Sequence, residues 1–161
     1  MSVSRELRTQ WQRLSGLPGG KRLFSLMLGR MAPYTGTVGG IVEHLEPGHA
    51  RVRLRDRRRV RNHLRSVHAI ALANIAEMST GLAVLSGLPD DARAILVGFS
   101  IEYVKKARGD LVAETHCDIP ASTERRAYEI EGVIRDASGD VVATAVARWL
   151  IGAEGAERKA A

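Results

Sequence analysis

The run from Val67 to Leu85, VHAIALANIAEMSTGLAVL, constrains this chain more than any other stretch, because it is apolar on nearly every side of a helix rather than along one stripe. A helix of that kind must be covered on nearly every side. Its length approaches that of a membrane span, but Asn74, Glu77, Ser79 and Thr80 interrupt it at mid-depth, where a carboxylate costs several kcal/mol. It therefore reads as the core helix of a globular domain. A chain of 161 residues suits one such core, and 45% apolar with 26% charged residues is ordinary globular composition.

The segments around the helix supply the cover. IVEHLEPGHARVRLRD reads as two strands about Pro47-Gly48, with proline pre-set for the first central turn position and glycine for the positive φ of the second. Ala50, Val52 and Leu54 alternate with Arg51, Arg53 and Arg55, so one face is buried and the other carries guanidinium groups. After the long helix, AILVGFSIEYVKKA reads as a long strand, Gly109-Asp110 turns the chain into LVAETHCDI, and RRAYEIEGVIR and DVVATAVARWLI flank a turn at Ser138-Gly139. Before the first hairpin, residues 4 to 14 place Leu7, Trp11 and Leu14 on one helical face, SGLPGG breaks the helix, and Lys21 to Met31 forms a second one closed by APY. These two helices are expected to pack on the flank of the domain. The predicted class is α+β: a long central helix wrapped by a curved antiparallel sheet of about six strands, with two extra N-terminal helices, which is the layout of a hotdog fold. One domain is expected, with residues 1–33 as a helical extension, 34–151 as the core and 152–161 as a frayed tail.

Charge and composition exclude several function classes. Eight arginines between residues 51 and 65, set against Asp56 alone, more than account for the net charge of +6. This local strip suits a phosphate-bearing small ligand or a solvated face, and without interleaved aromatic residues it gives no support for nucleic-acid binding. Cys117 is the only cysteine, which excludes an internal disulfide and a cysteine-built zinc site. His44, His49, His63, His68 and His116 show no two-histidine-plus-carboxylate spacing on one helix face, so no metal is expected. GTVGG precedes a strand rather than a helix and reads as a bend, not a phosphate cradle. The charged start MSVSRELRTQWQRL has no apolar signal region, so a cytoplasmic protein without integral membrane association is expected.

The stretch NHLRSVHAIALANIAE, Asn62 to Glu77, resembles the signature of hotdog thioesterases of the phenylacetyl-CoA (PaaI) type. That signature runs Asn, Gly three residues on, His-Gly-Gly, and an acidic residue nine after the histidine. Asn62, His68 and Glu77 fall on its three polar positions. PYTGTVGGIVEHLEPG, RNHLRSVHA and YVKKARGDL extend the likeness to a bacterial thioesterase-like hotdog family largely of unknown function. The chain departs from the signature at Arg65, where the family has glycine, and at Ala69-Ile70, where it has Gly-Gly. Leu96 aligns with a hydroxyl residue that some of these enzymes carry.

The resemblance implies an acyl-CoA or acyl-carrier thioesterase with no cofactor, the thioester itself being the substrate. Hydrolysis needs a base or nucleophile near the carbonyl carbon and donors aimed at the developing oxyanion. Glu77 can serve as the first, and the free N–H groups at a helix start, around His68, Ala69 and Ile70, as the second. At about 1.5 Å per residue, Ala69 and Glu77 of one chain lie about 12 Å apart, too far to act on one carbonyl. Two chains with antiparallel long helices would bring one helix start beside the other's middle, so a homodimer is expected, with a tetramer also open. Asn62 would orient water or thioester, and Asn74 and Thr80, each three residues from Glu77, share its face. Lys105, Lys106 and Arg108 close the long strand where the resemblance places the CoA phosphates. Two alternatives stand beside this reading: Glu77 as a hydrogen-bonded structural residue, and a non-catalytic acyl-thioester-binding or regulatory protein on the same scaffold. A hydratase is disfavoured, because its aspartate-histidine pair at the helix start is missing.

Overall fold

A computed structural model describes residues 2–120 and 123–153. Three helices come first: α1 (Val3–Leu14), α2 (Gly20–Met31) and α3 (Pro33–Val38). Strands β1 (Ile41–Glu46) and β2 (His49–Leu54) follow, then the long helix α4 (Ala69–Gly87), then β3 (Ala92–Tyr103), β4 (Leu111–His116), β5 (Arg126–Asp136) and β6 (Val141–Ala153). The six strands form one antiparallel sheet in the order β1-β2-β4-β5-β6-β3, curved around α4. This is a hotdog fold.

The alternation in β2 does what it predicts: Ala50, Val52 and Leu54 are buried, and with Val42, Leu111, Ala113, Ile134 and Ala143 they form the wall against which Leu72, Ile75 and Ala83 of α4 pack. Each large side chain so buried contributes about 1.5–3 kcal/mol. Where hydroxyls enter this contact they are satisfied. Ser79 donates to the Ala76 carbonyl and lies 3.0 Å from Thr115 Oγ1, and Gly132 of β5 admits the helix, since a Cβ there would sit 3.2 Å from Thr80 Cγ2. By length and composition α4 could cross a membrane, but most of it is buried inside this domain.

The turn chemistry follows the sequence, with Gly48 and Gly139 at φ 79° and 85°. Strand adjacency does not follow chain order. β3 pairs only with β6 and forms one edge of the sheet, while β4, just beyond the Gly109-Asp110 turn, pairs with β2 and β5. The helical extension also reaches further than the predicted 1–33, because Pro33, free of any need for an N–H donor in a first turn, opens α3. The predicted tail is shorter at its start, since Gly152 and Ala153 belong to β6; its remainder, 154–161, lies outside the described residues.

The N-terminal helices are tied down specifically. Ser25 Oγ of α2 accepts from Val42 N at 2.9 Å and donates to the Lys21 carbonyl, joining α2 to β1. Trp11 meets Phe24 edge-on at 5.1 Å between ring centres. Arg8 donates to the Ser86 and Leu88 carbonyls at the C-terminal end of α4, where a cation also complements the helix dipole. Most of the arginine strip is likewise spent on structure. Arg51 and Arg53 pair with Glu43, Arg57 donates to the Val38 carbonyl, Arg59 to that of Thr37, and Arg61 pairs with Asp56.

Candidate active site

Glu77 projects from the middle of α4 into a cavity of about 340 Å³ between that helix, β6 and the N-terminal helices. The cavity is lined mainly by apolar groups, among them Leu7, Met27, Leu28, Leu82, Leu85 and Trp149. Gly81, one turn on, leaves room there: a Cβ on it would lie 3.0 Å from the Trp149 ring and 3.8 Å from Glu77 Oε1. Trp149 is in turn held by its indole N–H, which donates to Thr80 Oγ1 at 3.3 Å.

The carboxylate of Glu77 makes no hydrogen bond or ion pair among the described residues, and burial pushes its pKa above the ordinary glutamate value. The two residues expected beside it do not satisfy it. Thr80 Oγ1 donates to the Glu77 backbone carbonyl instead, and Asn74 is buried with its Oδ1 unpaired, outside the lining of the cavity. The side chain is thus half-buried, unpaired and adjacent to empty apolar space.

The start of α4 is arranged differently. Asn62 Oδ1 accepts from Leu64 N, Ser66 N and Ser66 Oγ, which closes residues 62–66 into a tight turn and leaves only the amide nitrogen for a ligand. Within that turn Arg65 has φ 57°, the only positive φ outside glycine among the described residues. The glycine expected at this position has its reason in backbone conformation, since a side chain in the left-handed region costs about 1 kcal/mol or more. His68 caps the helix: its Nδ1 accepts from Ile70 N at 3.1 Å. Of the predicted oxyanion donors, the Ile70 N–H is therefore occupied by the imidazole of the same chain, while the Ala69 N–H has no partner among the described residues.

The basic residues divide. Lys105 is held by Asp136 and Asp140 at 2.7 Å each, and these partners raise its pKa. Lys106 and Arg108 are exposed, and the carbonyl of Ala107 between them accepts from Val67 N, which sets both cations beside the start of α4. Ile70, Ala73 and Glu77 form a partly exposed strip along α4, and Leu96, Phe99 and Ile101 on the facing side of edge strand β3 are only partly covered. The edge of β3 away from β6 has no partner strand among the described residues. Elsewhere, register brings His44, Glu46, His49, Glu114 and His116 together across β1, β2 and β4, a grouping that helix-face spacing could not show.

A family model described as a domain of unknown function, DUF4442, matches residues 20–151. No curated protein matches the chain. Among solved structures, a structural-genomics target is 30% identical with a TM-score of 0.78, covering 93% of this chain and 97% of its own. A Pseudomonas aeruginosa protein of unknown function described as a probable thioesterase is 24% identical, with a TM-score of 0.74 and coverage of 86% and 97%. A thioesterase family protein from Silicibacter pomeroyi is 17% identical, with a TM-score of 0.68 and coverage of 79% and 94%.

Proposed function

The chain belongs to the DUF4442 family, and from that premise we propose that it hydrolyses acyl thioesters, of CoA or of an acyl carrier, with Glu77 as general base. The observation that carries this reading is the unpaired, half-buried carboxylate of Glu77 facing an apolar cavity that an acyl chain can fill. A glutamate kept for structure would be hydrogen-bonded, as every buried hydroxyl of α4 is. Thioesterase descriptions among the structural neighbours point the same way.

In the proposed reaction Glu77 takes a proton from a water molecule as its oxygen attacks the thioester carbonyl carbon. The tetrahedral oxyanion accepts from the Ala69 N–H of a second chain, whose helix start supplies the partial positive charge. Collapse breaks the C–S bond, and the proton held by Glu77 passes to the departing thiolate, giving a carboxylic acid and a free thiol. The upward shift of the Glu77 pKa by burial makes its carboxylate a stronger base for the first transfer. The second chain is required because Ala69 of the same chain is about 12 Å away along the helix. The edge of β3, which has no partner strand on one side among the described residues, and the partly covered strip Ile70–Ala73–Glu77 support such a homodimer. Lys106 and Arg108, beside the helix start, would meet the CoA phosphates, and Lys105 would serve the β5–β6 turn instead.

A non-catalytic acyl-thioester-binding role is favoured by one observation, the occupation of the Ile70 N–H by His68, which removes a donor the reaction could use. Free-thiol release from short, long and aromatic CoA thioesters separates the two. Turnover that Glu77→Gln abolishes supports hydrolysis; saturable binding without turnover in either protein supports the binding role.

A further inference from the structure

Five side chains on the outer face of the sheet, remote in sequence from Glu77, form a compact polar group. Glu46 and His49 are register partners on β1 and β2, His49 and His116 are partners on β2 and β4, and His44 and Glu114 lie two residues along on the same face. His44 Nε2 and His49 Nδ1 each lie 3.3 Å from Glu46 Oε1. In a tetrahedral zinc site with bonds of about 2.0–2.1 Å, neighbouring ligand atoms stand about 3.3–3.4 Å apart, so these spacings are those of ligands around one ion.

Two further observations concern the nitrogens themselves. His44 Nε2 is buried, and its only near polar neighbour among the described residues is Glu46 Oε1, with which it makes no well-formed hydrogen bond. His49 Nε2 lies 2.9 Å from Glu114 Oε1 and donates to it. His49 Nδ1 lies 3.3 Å from Glu46 Oε1, so the ring bridges the two carboxylates, and with its Nε2 side given to Glu114 it can turn Nδ1 to a cation shared with Glu46. The carboxylate–histidine–metal relay is also how proteins orient a ligating imidazole and raise its basicity. His116, stacked on His49 at 3.8 Å between ring centres, buttresses the ring.

We propose that His44 Nε2, Glu46 Oε1 and His49 Nδ1 bind a borderline divalent transition-metal ion, zinc above all, with Glu114 as the carboxylate that orients His49. Two nitrogens and one carboxylate oxygen suit zinc, copper and nickel better than magnesium or calcium. The fourth position falls to water or to an anion from the adjacent cleft of about 670 Å³, which His44 and His49 line together with Lys21, Arg22, Arg51 and Arg53.

The test is calorimetric titration of Zn²⁺ into untagged, chelator-stripped full-length protein. One equivalent per chain is expected to bind, with a rise in melting temperature. His44→Ala and His49→Ala should each abolish both effects. Glu114→Gln should weaken binding by about 10–100-fold, the usual size of an outer-carboxylate effect. His63→Ala, far from the group in sequence and strand, should bind as the parent does. Co²⁺ should give the intense visible absorption of a tetrahedral ion, lost in His49→Ala. Absence of binding at millimolar Zn²⁺ would overturn the proposal, as would binding that survives His44→Ala but not His116→Ala. Circular dichroism of each variant separates loss of a ligand from loss of fold.

Discussion

The polar side chains at the start of α4 and the carboxylate of Glu77 at its middle stand in opposite situations. At the start, Asn62 spends its oxygen on three donors, His68 caps Ile70, and Val67 and His68 are bonded through Ala107 and Val60. In the middle, Glu77 is desolvated and bonded to nothing described, beside open apolar space. A buried polar group left unmade costs about 1–3 kcal/mol, more for a charge. Satisfied groups of this kind are explained by the fold that they build. The unsatisfied carboxylate is the group that the proposed reaction uses.

The sharpest way to break this comparison is Glu77→Gln. Turnover should fall by about 10²–10⁴-fold, the usual contribution of a general base, with the circular dichroism spectrum unchanged. The pH dependence carries a second sign. Because the folded-state pKa of Glu77 lies above its unfolded value, the carboxyl favours the folded state most at acid pH, and that contribution is lost as pH rises through the raised pKa. The Gln variant should therefore be more stable than the parent at neutral pH, with the gap closing on acidification. A parent that is the more stable of the two at neutral pH would mean that Glu77 is a satisfied structural residue after all. The acid limb of kcat/KM should likewise lie above the ordinary glutamate range of about 4.3.

Next in size is the packing that holds the helix. Ile75→Ala, at a position with no exposure, should cost about 2–5 kcal/mol in chemical denaturation. Asn62 sharpens the other side of the comparison. Asn62→Ala should cost about 1–3 kcal/mol by leaving the 62–66 turn without its acceptor. Asn62→Asp keeps the acceptor and removes only the amide nitrogen, so stability should be largely retained; a large loss of turnover in that variant would place the nitrogen on the substrate. The smallest effect expected is from Arg65→Gly, which relieves φ 57° and should stabilise by about 1 kcal/mol in the same denaturation measurement.

Much of this molecule is legible along the chain because its signals are local. The all-round apolar run at Ala69–Gly87 forces a wrapped helix, the alternation at Ala50–Leu54 forces a one-sided strand, and Gly48 and Gly139 answer to turn geometry. Helix α3 escaped because APY reads as a stop, when proline is equally at home in a first helical turn. Glu77 stands out by chemistry alone, a carboxylate within an apolar run. What surrounds it does not. Asn74 and Thr80 share its spacing, yet rotamer and neighbours direct them elsewhere, Thr80 to a backbone carbonyl and to Trp149 of a distant strand.

By itself, the sequence determined that one helix would be enclosed by antiparallel strands, and that a single carboxylate would be enclosed with it, since hydrophobic burial and strand periodicity act on residues a few positions apart. Tertiary structure alone decided the rest. Strand order moved β3 to an open edge, the N-terminal helices closed an apolar cavity over Glu77, and register gathered His44, Glu46, His49, Glu114 and His116 from three strands. Contacts between residues tens of positions apart depend on which strands pair and in what register, and neither is encoded in any local period.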